Sequence, residues 1–288
     1  MSQYRFIKAC LLGIATVAFS IHLIMPLQAK NVSWSEQRLT RIVEKEERLF
    51  RNVPPESDRL NRANWEGKVH ALASEYQAFT LENPESIEGF IFMGKFLRKM
   101  GERKAAYIAF AKANRLDPNI AAVKQQIGNY LAEEGSPELA IGAFLEAIEL
   151  SPETAVYHYQ LGELVHIFRY QLLINNISSG PALDRQMLEA FKIATKLDPN
   201  TREFAWRHAE AYYDVTLPNA KEALEAWVTI EKASQSDIEK DAIALHKAHW
   251  LIELKAYDDA RALLSKPVRT SLEGTRRTLE AKLPKTNT

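Results

Sequence analysis

The stretch "AFLEAIELSP", residues 143–152, repeats the spelling of "AFAKANRLDP", residues 109–118, at an interval of 34 residues. Each reads as the end of an amphipathic helix running into a proline. Aligned on these endings, the match spreads backwards. Gly94, Leu97, Ala106, Phe110, Ala113, Leu116 and Pro118 form one set, and Gly128, Leu131, Ala140, Phe144, Ala147, Leu150 and Pro152 form the next, each 34 residues later. The spelling has physical reasons. Gly94 and Ala106 are small where two helices of a repeat cross, so their backbones approach closely, and Phe110 fills the space between them. Ala113 lets the next repeat pack close. Pro118 cannot continue the helix and pushes the residue before it out of the α region, so each repeat ends in the same turn.

A 34-residue period with this pattern resembles the tetratricopeptide repeat, a helix–turn–helix unit. The resemblance implies an all-α fold, a right-handed α-solenoid of stacked antiparallel helix pairs whose concave face is free to hold another chain. It covers roughly residues 65–265, with clear repeats at 87–120, 121–154 and 155–201. The third of these has Leu161, Gly162 and Val165 on schedule, but its ending, Phe191, Ala194, Leu197 and Pro199, is late. Pro199 lies 47 residues after Pro152, which is 13 more than the period. We place the excess in "QLLINNISSGPALD", residues 171–184, with Gly180-Pro181 restarting the second helix, since proline suits a first helical turn. It reads either as a tolerated surface loop, because lengthening a loop costs little, or as a finger contacting a partner at the groove's edge.

Repeats at 202–240 and 241–266 are degenerate. Ala209 stands in the glycine's place, Ala223 and Trp227 form the small and large pair, and Ala248, Leu251, Ala260 and Leu264 fit the last frame. Upstream, residues 30–64 read as a charged helix over 35–51 and a break at "NVPPESD". Ser35 with Arg38 lacks a full capping box there. Residues 65–84 read as the second helix of a partial repeat. Residues 267–288 read as a polar helix that caps the array, followed by a tail.

The first 29 residues differ from the rest. Arg5 and Lys8 precede "ACLLGIATVAFSIHLIMPLQA", which runs without charge from Ala9 to Ala29. This pattern is that of a secretory signal peptide with a cleavage site before Lys30, or of an anchor that stays in the membrane through residues 9–29. Either reading places the body outside the cytoplasm, periplasmic or secreted, or held at the inner membrane. Cys10, the only cysteine, lies in this segment, so the remainder has no thiol for a disulfide or a metal. Lysine plus arginine equal aspartate plus glutamate at 37 each, and removing Arg5 and Lys8 leaves 35 against 37. That balance lacks the basic excess a phosphate backbone requires, so no nucleic-acid partner is expected.

In proteins of this repeat family the first helix of each repeat lines the groove at fixed positions. Carried over by register, those positions name Lys95 and Arg98, Asn129, Tyr159 and Glu163, and Trp206, Glu210 and Tyr213 as partner-binding residues. One use of such a groove is a clamp of lysine, arginine and asparagine on a peptide's terminal carboxylate. Asn129 and Lys95 match it, but Glu163 would repel a carboxylate, so that mode is rejected. The set is mixed instead, basic at Lys95, Arg98 and Lys99 and acidic and aromatic from Tyr159 to Tyr213. Tyrosine and tryptophan supply large contact area at modest entropic cost.

No phosphate-cradling, dinucleotide or nucleophile-elbow motif occurs. His246-x-x-His249 with Glu253 lacks the further ligands of a zinc site. No cofactor, metal or catalytic residue is expected. The function implied is a noncatalytic exported scaffold or adaptor that binds a protein or peptide segment and organises envelope components. The alternative is an enzyme or enzyme subunit with a His/Glu site on the helical array. Incomplete terminal repeats would leave apolar edges that favour self-association.

Overall fold

A computed structural model describes residues 33–234 and 236–285. The leader, Cys10 and residues 286–288 lie outside the described residues. Among the described residues the regular structure is thirteen α-helices and one 3-10 turn, with no strand. None of these helices is long and apolar enough to cross a membrane. The chain forms two compact units that divide between Leu150 and Ser151.

The N-terminal unit holds α1 (Trp34–Arg51), α2 (Arg59–Glu82), α3 (Ile87–Lys99), α4 (Arg103–Leu116), α5 (Ala121–Glu133) and α6 (Pro137–Leu150). The helix α1 is capped two residues earlier than the Ser35 reading. Ser33 is its cap: the Ser33 hydroxyl accepts from the Glu36 amide at 3.1 Å, and the Glu36 carboxylate accepts from the Ser33 amide at 2.7 Å. The box is complete, two residues upstream of Ser35. The following helix, α2, also starts early, at Asp58, whose side chain caps Asn61. Its partner α1 contributes Leu39 and Ile42 to a core with Trp65, Val69, Leu72, Tyr76 and Phe79. Residues 34–64 thus hold the first helix of a pair, the break at 52–58 and the first six residues of the second helix, which begins ahead of residue 65.

The two regular repeats have the same construction. Helices α3 and α5 each have 13 residues, and α4 and α6 each have 14. A Cβ on Gly94 would lie 2.7 Å from the Phe110 ring, and one on Gly128 would lie 3.0 Å from the Phe144 ring. The glycine and phenylalanine are thus the two sides of one helix crossing. Ala106, Ala113, Ala140 and Ala147 are fully buried around it. The turn between paired helices closes on a left-handed residue, Gly101 at φ 81° and Gly135 at φ 76°. There the Glu102 amide donates to the Leu97 carbonyl and the Ser136 amide to the Leu131 carbonyl, both at 2.9 Å. This is the Schellman closure, which glycine adopts without a Cβ penalty.

The C-terminal unit holds α7 (Ala155–Ile174), α8 (Gly180–Leu197), α9 (Arg202–Ala211), α10 (Ala220–Ala233), α11 (Asp237–Glu253), α12 (Tyr257–Leu264) and α13 (Glu273–Glu280). The excess in the third repeat is mostly helix, neither a long loop nor a free finger. Helix α7 has 20 residues where α5 has 13, and α8 has 18 where α6 has 14. The connection 175–179 is only two residues longer than 134–136. Both helices are extended past their crossing, so the crossing keeps its geometry: a Cβ on Gly162 would lie 2.7 Å from the Phe191 ring. The turn still closes in the same way, with Asn176 at φ 55° in the glycine's place and the Ile177 amide donating to the Leu172 carbonyl at 3.0 Å. Gly180 and Pro181 do open α8.

In the degenerate repeats Ala209, Ala223 and Trp227 are fully buried in one core with Ile230, Ile243 and Trp250. The last pair starts at Asp237, ahead of residue 241, and its Ala248, Ala260 and Leu264 pack with Leu279 of α13. That helix covers the end of the stack with a single buried leucine and an outer face of Arg276, Arg277 and Glu273, as a terminal repeat requires.

Candidate functional site

In the N-terminal unit, α3 carries Lys95 and Arg98 and α5 carries Asn129. None of the three stands open to solvent. Arg98 is clasped by Glu133, Nη1 to Oε2 at 2.8 Å, and Arg103 reaches the same carboxylate at 3.5 Å. Lys99 is bonded to Glu46, whose other oxygen accepts from the Tyr76 hydroxyl at 2.7 Å. Lys95 is half-buried, 5.6 Å from the centre of the Phe92 ring, and burial followed by the charge of Lys99 holds its pKa below the ordinary lysine value, against Glu46. Asn129 is 7% exposed, and its Oδ1 has no hydrogen-bond partner among the described residues. The basic end expected from register is therefore matched by Glu46 and Glu133 within the unit.

A cavity of about 720 Å³ lies elsewhere in this unit, between α1, α2 and the prolines at 54 and 55. Trp65 and Leu72 form its wall. No register-predicted residue lines it, and its lysine Lys45 is already bonded to Glu75 at 2.7 Å.

The C-terminal unit gathers the other five. Tyr159 and Glu163 lie one turn apart on α7, and Trp206 and Glu210 one turn apart on α9. Tyr159 is 4% exposed, packed on Phe204 and Phe191, and its hydroxyl donates to Glu203 at 3.2 Å. Burial, then the charges of Glu163 and Glu203, push its pKa up. Its ring is largely covered, with its remaining surface on the cavity it shares with Trp206. Glu163 is also buried, and Arg207 of α9 donates to it from Nε at 2.6 Å. Arg207 reaches on to Asp214 at 3.1 Å and covers the Phe191 ring at 4.8 Å. Burial opposes the charge on Arg207, but Glu163 and Asp214 outweigh burial and raise its pKa. His166 touches Asp214 at 3.3 Å, with its pKa lowered by burial and by Arg207.

Trp206 and Tyr213 open a second, aromatic layer. The Trp206 indole N–H donates to Glu210 at 2.8 Å, and its ring meets Trp227 edge-on at 5.1 Å. Trp227 lies flat on His246, 3.9 Å between centres. The Tyr213 hydroxyl is 2.9 Å from His246 Nδ1, and its ring tilts over Trp250 at 4.8 Å. Burial, then the neighbouring His249, lowers the His246 pKa to about 4, so its imidazole is neutral at pH 7. His246 and His249 are thus partners of aromatic rings. Among the described residues no three histidine, cysteine or acidic side chains stand together as metal ligands.

Of the eight residues expected from register, Trp206, Glu210 and Tyr213 present surface, while Asn129, Tyr159 and Glu163 are buried, Lys95 is half-buried and Arg98 is paired. Arg207 and Glu203 complete the site. Arg207 was not identified from sequence. Its only signal there is an arginine one helical turn before Glu210, the position equivalent to Glu163 in the next repeat.

These histidines predict a pH response. Burial, then Lys192, also lowers the His208 pKa to about 4. Folded, His208 and His246 stay neutral down to about pH 4, whereas the unfolded chain takes up their protons near 6.5. Between those values the unfolded state binds more protons, so stability is complete above about pH 6.5 and falls as pH drops towards 4. The slope is at most about 1.4 kcal/mol per pH unit for each histidine. Urea midpoints at neutral and mildly acidic pH measure it. His208→Leu should reduce the acid loss, and an undiminished loss would exclude His208 as its source.

With the geometry in place, comparison with solved structures gives the class: the chain has the tetratricopeptide-repeat fold. It superposes on the TPR protein YrrB, described as having an unusual peptide-binding site, with a TM-score of 0.52 and 16% identity over 73% of this chain and 94% of that one. It superposes on PilF of Pseudomonas aeruginosa with a TM-score of 0.52 and 17% identity over 86% and 98%. A structure of Naa15/Naa10 bound to HypK-THB gives a TM-score of 0.53 and 16% identity over 87% of this chain and 34% of that one. No protein-family model and no curated protein matches the sequence.

Proposed function

We propose that this protein is a noncatalytic adaptor that binds a segment of another protein against the first-helix face of its C-terminal unit. The observation that carries this reading is the half-buried Trp206, set in a cavity of about 420 Å³ with Tyr159, Glu203 and Glu210. A large aromatic side chain ringed by polar groups is the usual anchor of a protein contact. The fold shared with YrrB, whose own peptide site is described, supports a protein partner. The apolar, uncharged run from Ala9 to Ala29 supports work outside the cytoplasm, in assembly or organisation of a bacterial envelope. Among the described residues no convergent set of nucleophile, base and oxyanion donors favours catalysis.

The test is capture from envelope extracts with the full chain and with Trp206→Ala. Partners held by this face should be lost or weakened about 10-fold or more, while the melting temperature, read separately, reports any loss of packing against Trp227. If every captured protein stays bound to a folded Trp206→Ala variant, this face is not the binding surface.

A further inference from the structure

The same cavity carries a statement about what enters it, one that rests on the adaptor reading. Its six lining residues are Tyr159, Arg202, Glu203, Trp206, Arg207 and Glu210. The two cations are already committed. Arg207 lies between Glu163 and Asp214, and Arg202 is bonded to Glu239. The two carboxylates are not. Glu203 accepts one hydrogen bond, from the Tyr159 hydroxyl, and Glu210 accepts one, from the Trp206 indole. Neither has a cationic partner among the described residues. Within the cavity and its immediate shell, Arg202 and Arg207 face Glu163, Glu203, Glu210, Asp214 and Glu239, two positive charges against five negative. His166 adds none at neutral pH, since burial favours its neutral form.

The ring between the two free carboxylates is also suited to a cation. Arg202 already lies over Trp206, its guanidinium carbon 5.3 Å from the ring centre, so this indole accepts a guanidinium within the folded chain. A cation is drawn to an indole face, and more strongly where carboxylates lie beside it. An arginine is favoured over a lysine, because its planar fork bonds a carboxylate through two N–H groups and stacks on an aromatic ring at the same time. We infer that the cavity formed by Tyr159, Trp206, Glu203 and Glu210 selects an arginine side chain of the bound protein segment. The alkyl part of that side chain lies along Trp206, and the guanidinium bonds to the unshared oxygens of Glu203 and Glu210.

Glu203→Gln with Glu210→Gln separates charge from shape. Glutamine keeps a carbonyl oxygen for the Tyr159 and Trp206 bonds while removing both negative charges. The full-length protein and this double variant are each panned against a random short-peptide phage library. A recovered peptide is then synthesised with a fluorescein label, and with its arginine replaced by citrulline. The expected result is enrichment of arginine by the native protein, loss of that enrichment in the double variant, and binding weakened roughly 10-fold or more by either the citrulline change or the double substitution. Added salt should weaken the arginine peptide more than its citrulline form. Peptides recovered without basic enrichment, or arginine enrichment that survives in a folded double variant, would overturn the inference and leave the adaptor reading standing. Recovery of no peptide by either protein would remove both.

Discussion

Replacing Arg207 with methionine is expected to lower the unfolding free energy by about 3–5 kcal/mol, the cost of leaving a buried charge without its partner. The side chains of Arg207 and Glu163 are only 14% and 7% exposed, and Arg207 is the one hydrogen-bond partner of the Glu163 carboxylate among the described residues. Methionine keeps much of the packing over Phe191 but supplies no donor, so the buried Glu163 carboxylate loses its partner. Arg207→Met combined with Glu163→Leu should recover most of the loss, because an apolar pair of similar size replaces a buried ion pair at little cost. Urea unfolding followed by tryptophan fluorescence reads this directly, since Trp206, Trp227 and Trp250 all lie in the same unit. A loss below about 1 kcal/mol for the single change would mean that the pair is solvated like a surface bridge. The functional consequence is that Glu163 is committed to the fold, which leaves Glu203 and Glu210 as the carboxylates the proposed partner would meet.

The repeats were readable in the sequence because their rules are local. Helix length, the glycine at the crossing, the phenylalanine opposite it and the closing proline recur at a fixed interval, and Gly94, Gly128 and Gly162 all lie where that interval put them. The excess of the third repeat was countable and was placed at 171–184, but its form was not legible, since counting residues does not distinguish a loop from extra helical turns. The sequence of α7 is suited to helix through Ile174, and only Asn176 in a left-handed conformation ends it. The candidate face was legible as positions but not as states. Register placed Tyr159 and Glu163 on the first helix of their repeat and named them as partner-binding, whereas both are buried. It did not show that the Arg207 side chain and the Phe204 ring fill the space in front of them, because those contacts join residues 44 or more apart. Lys95 and Arg98 show the same limit. The acids that face them, Glu46 and Glu133, come from α1 and α5.

The crossing glycines allow a graded prediction whose largest member is Gly162→Val. A Cβ at Gly162 would stand 2.7 Å from Cε1 of Phe191 and 2.9 Å from Cδ1 and Cζ. The ring has no room to retreat, being fully buried with Tyr159 on one side at 5.6 Å and Arg207 over it at 4.8 Å. Overpacking of this kind costs about 1–3 kcal/mol for small additions, and alanine in place of a helical glycine returns roughly 0.5–1 kcal/mol. Gly162→Ala should therefore lose about 1–2 kcal/mol net, and Gly162→Val, with its branched side chain, about 3 kcal/mol or more. Gly128→Ala meets Phe144 at 3.0 Å and should fall near neutral. Gly142, on the same helix as Phe144, has open space where its Cβ would be, so Gly142→Ala should stabilise by about 0.5–1 kcal/mol. Identical chemistry is thus expected to change sign with the distance to one ring. Trimming that ring tests the cause: Phe191→Leu alone opens a cavity and destabilises, yet it makes room for the new methyl group. Gly162→Ala with Phe191→Leu should cost clearly less than the two single changes added together. Strict additivity in thermal or urea unfolding would show that the Gly162 penalty comes from something other than the Phe191 ring, and the close approach of α7 and α8 at that point would lose its explanation.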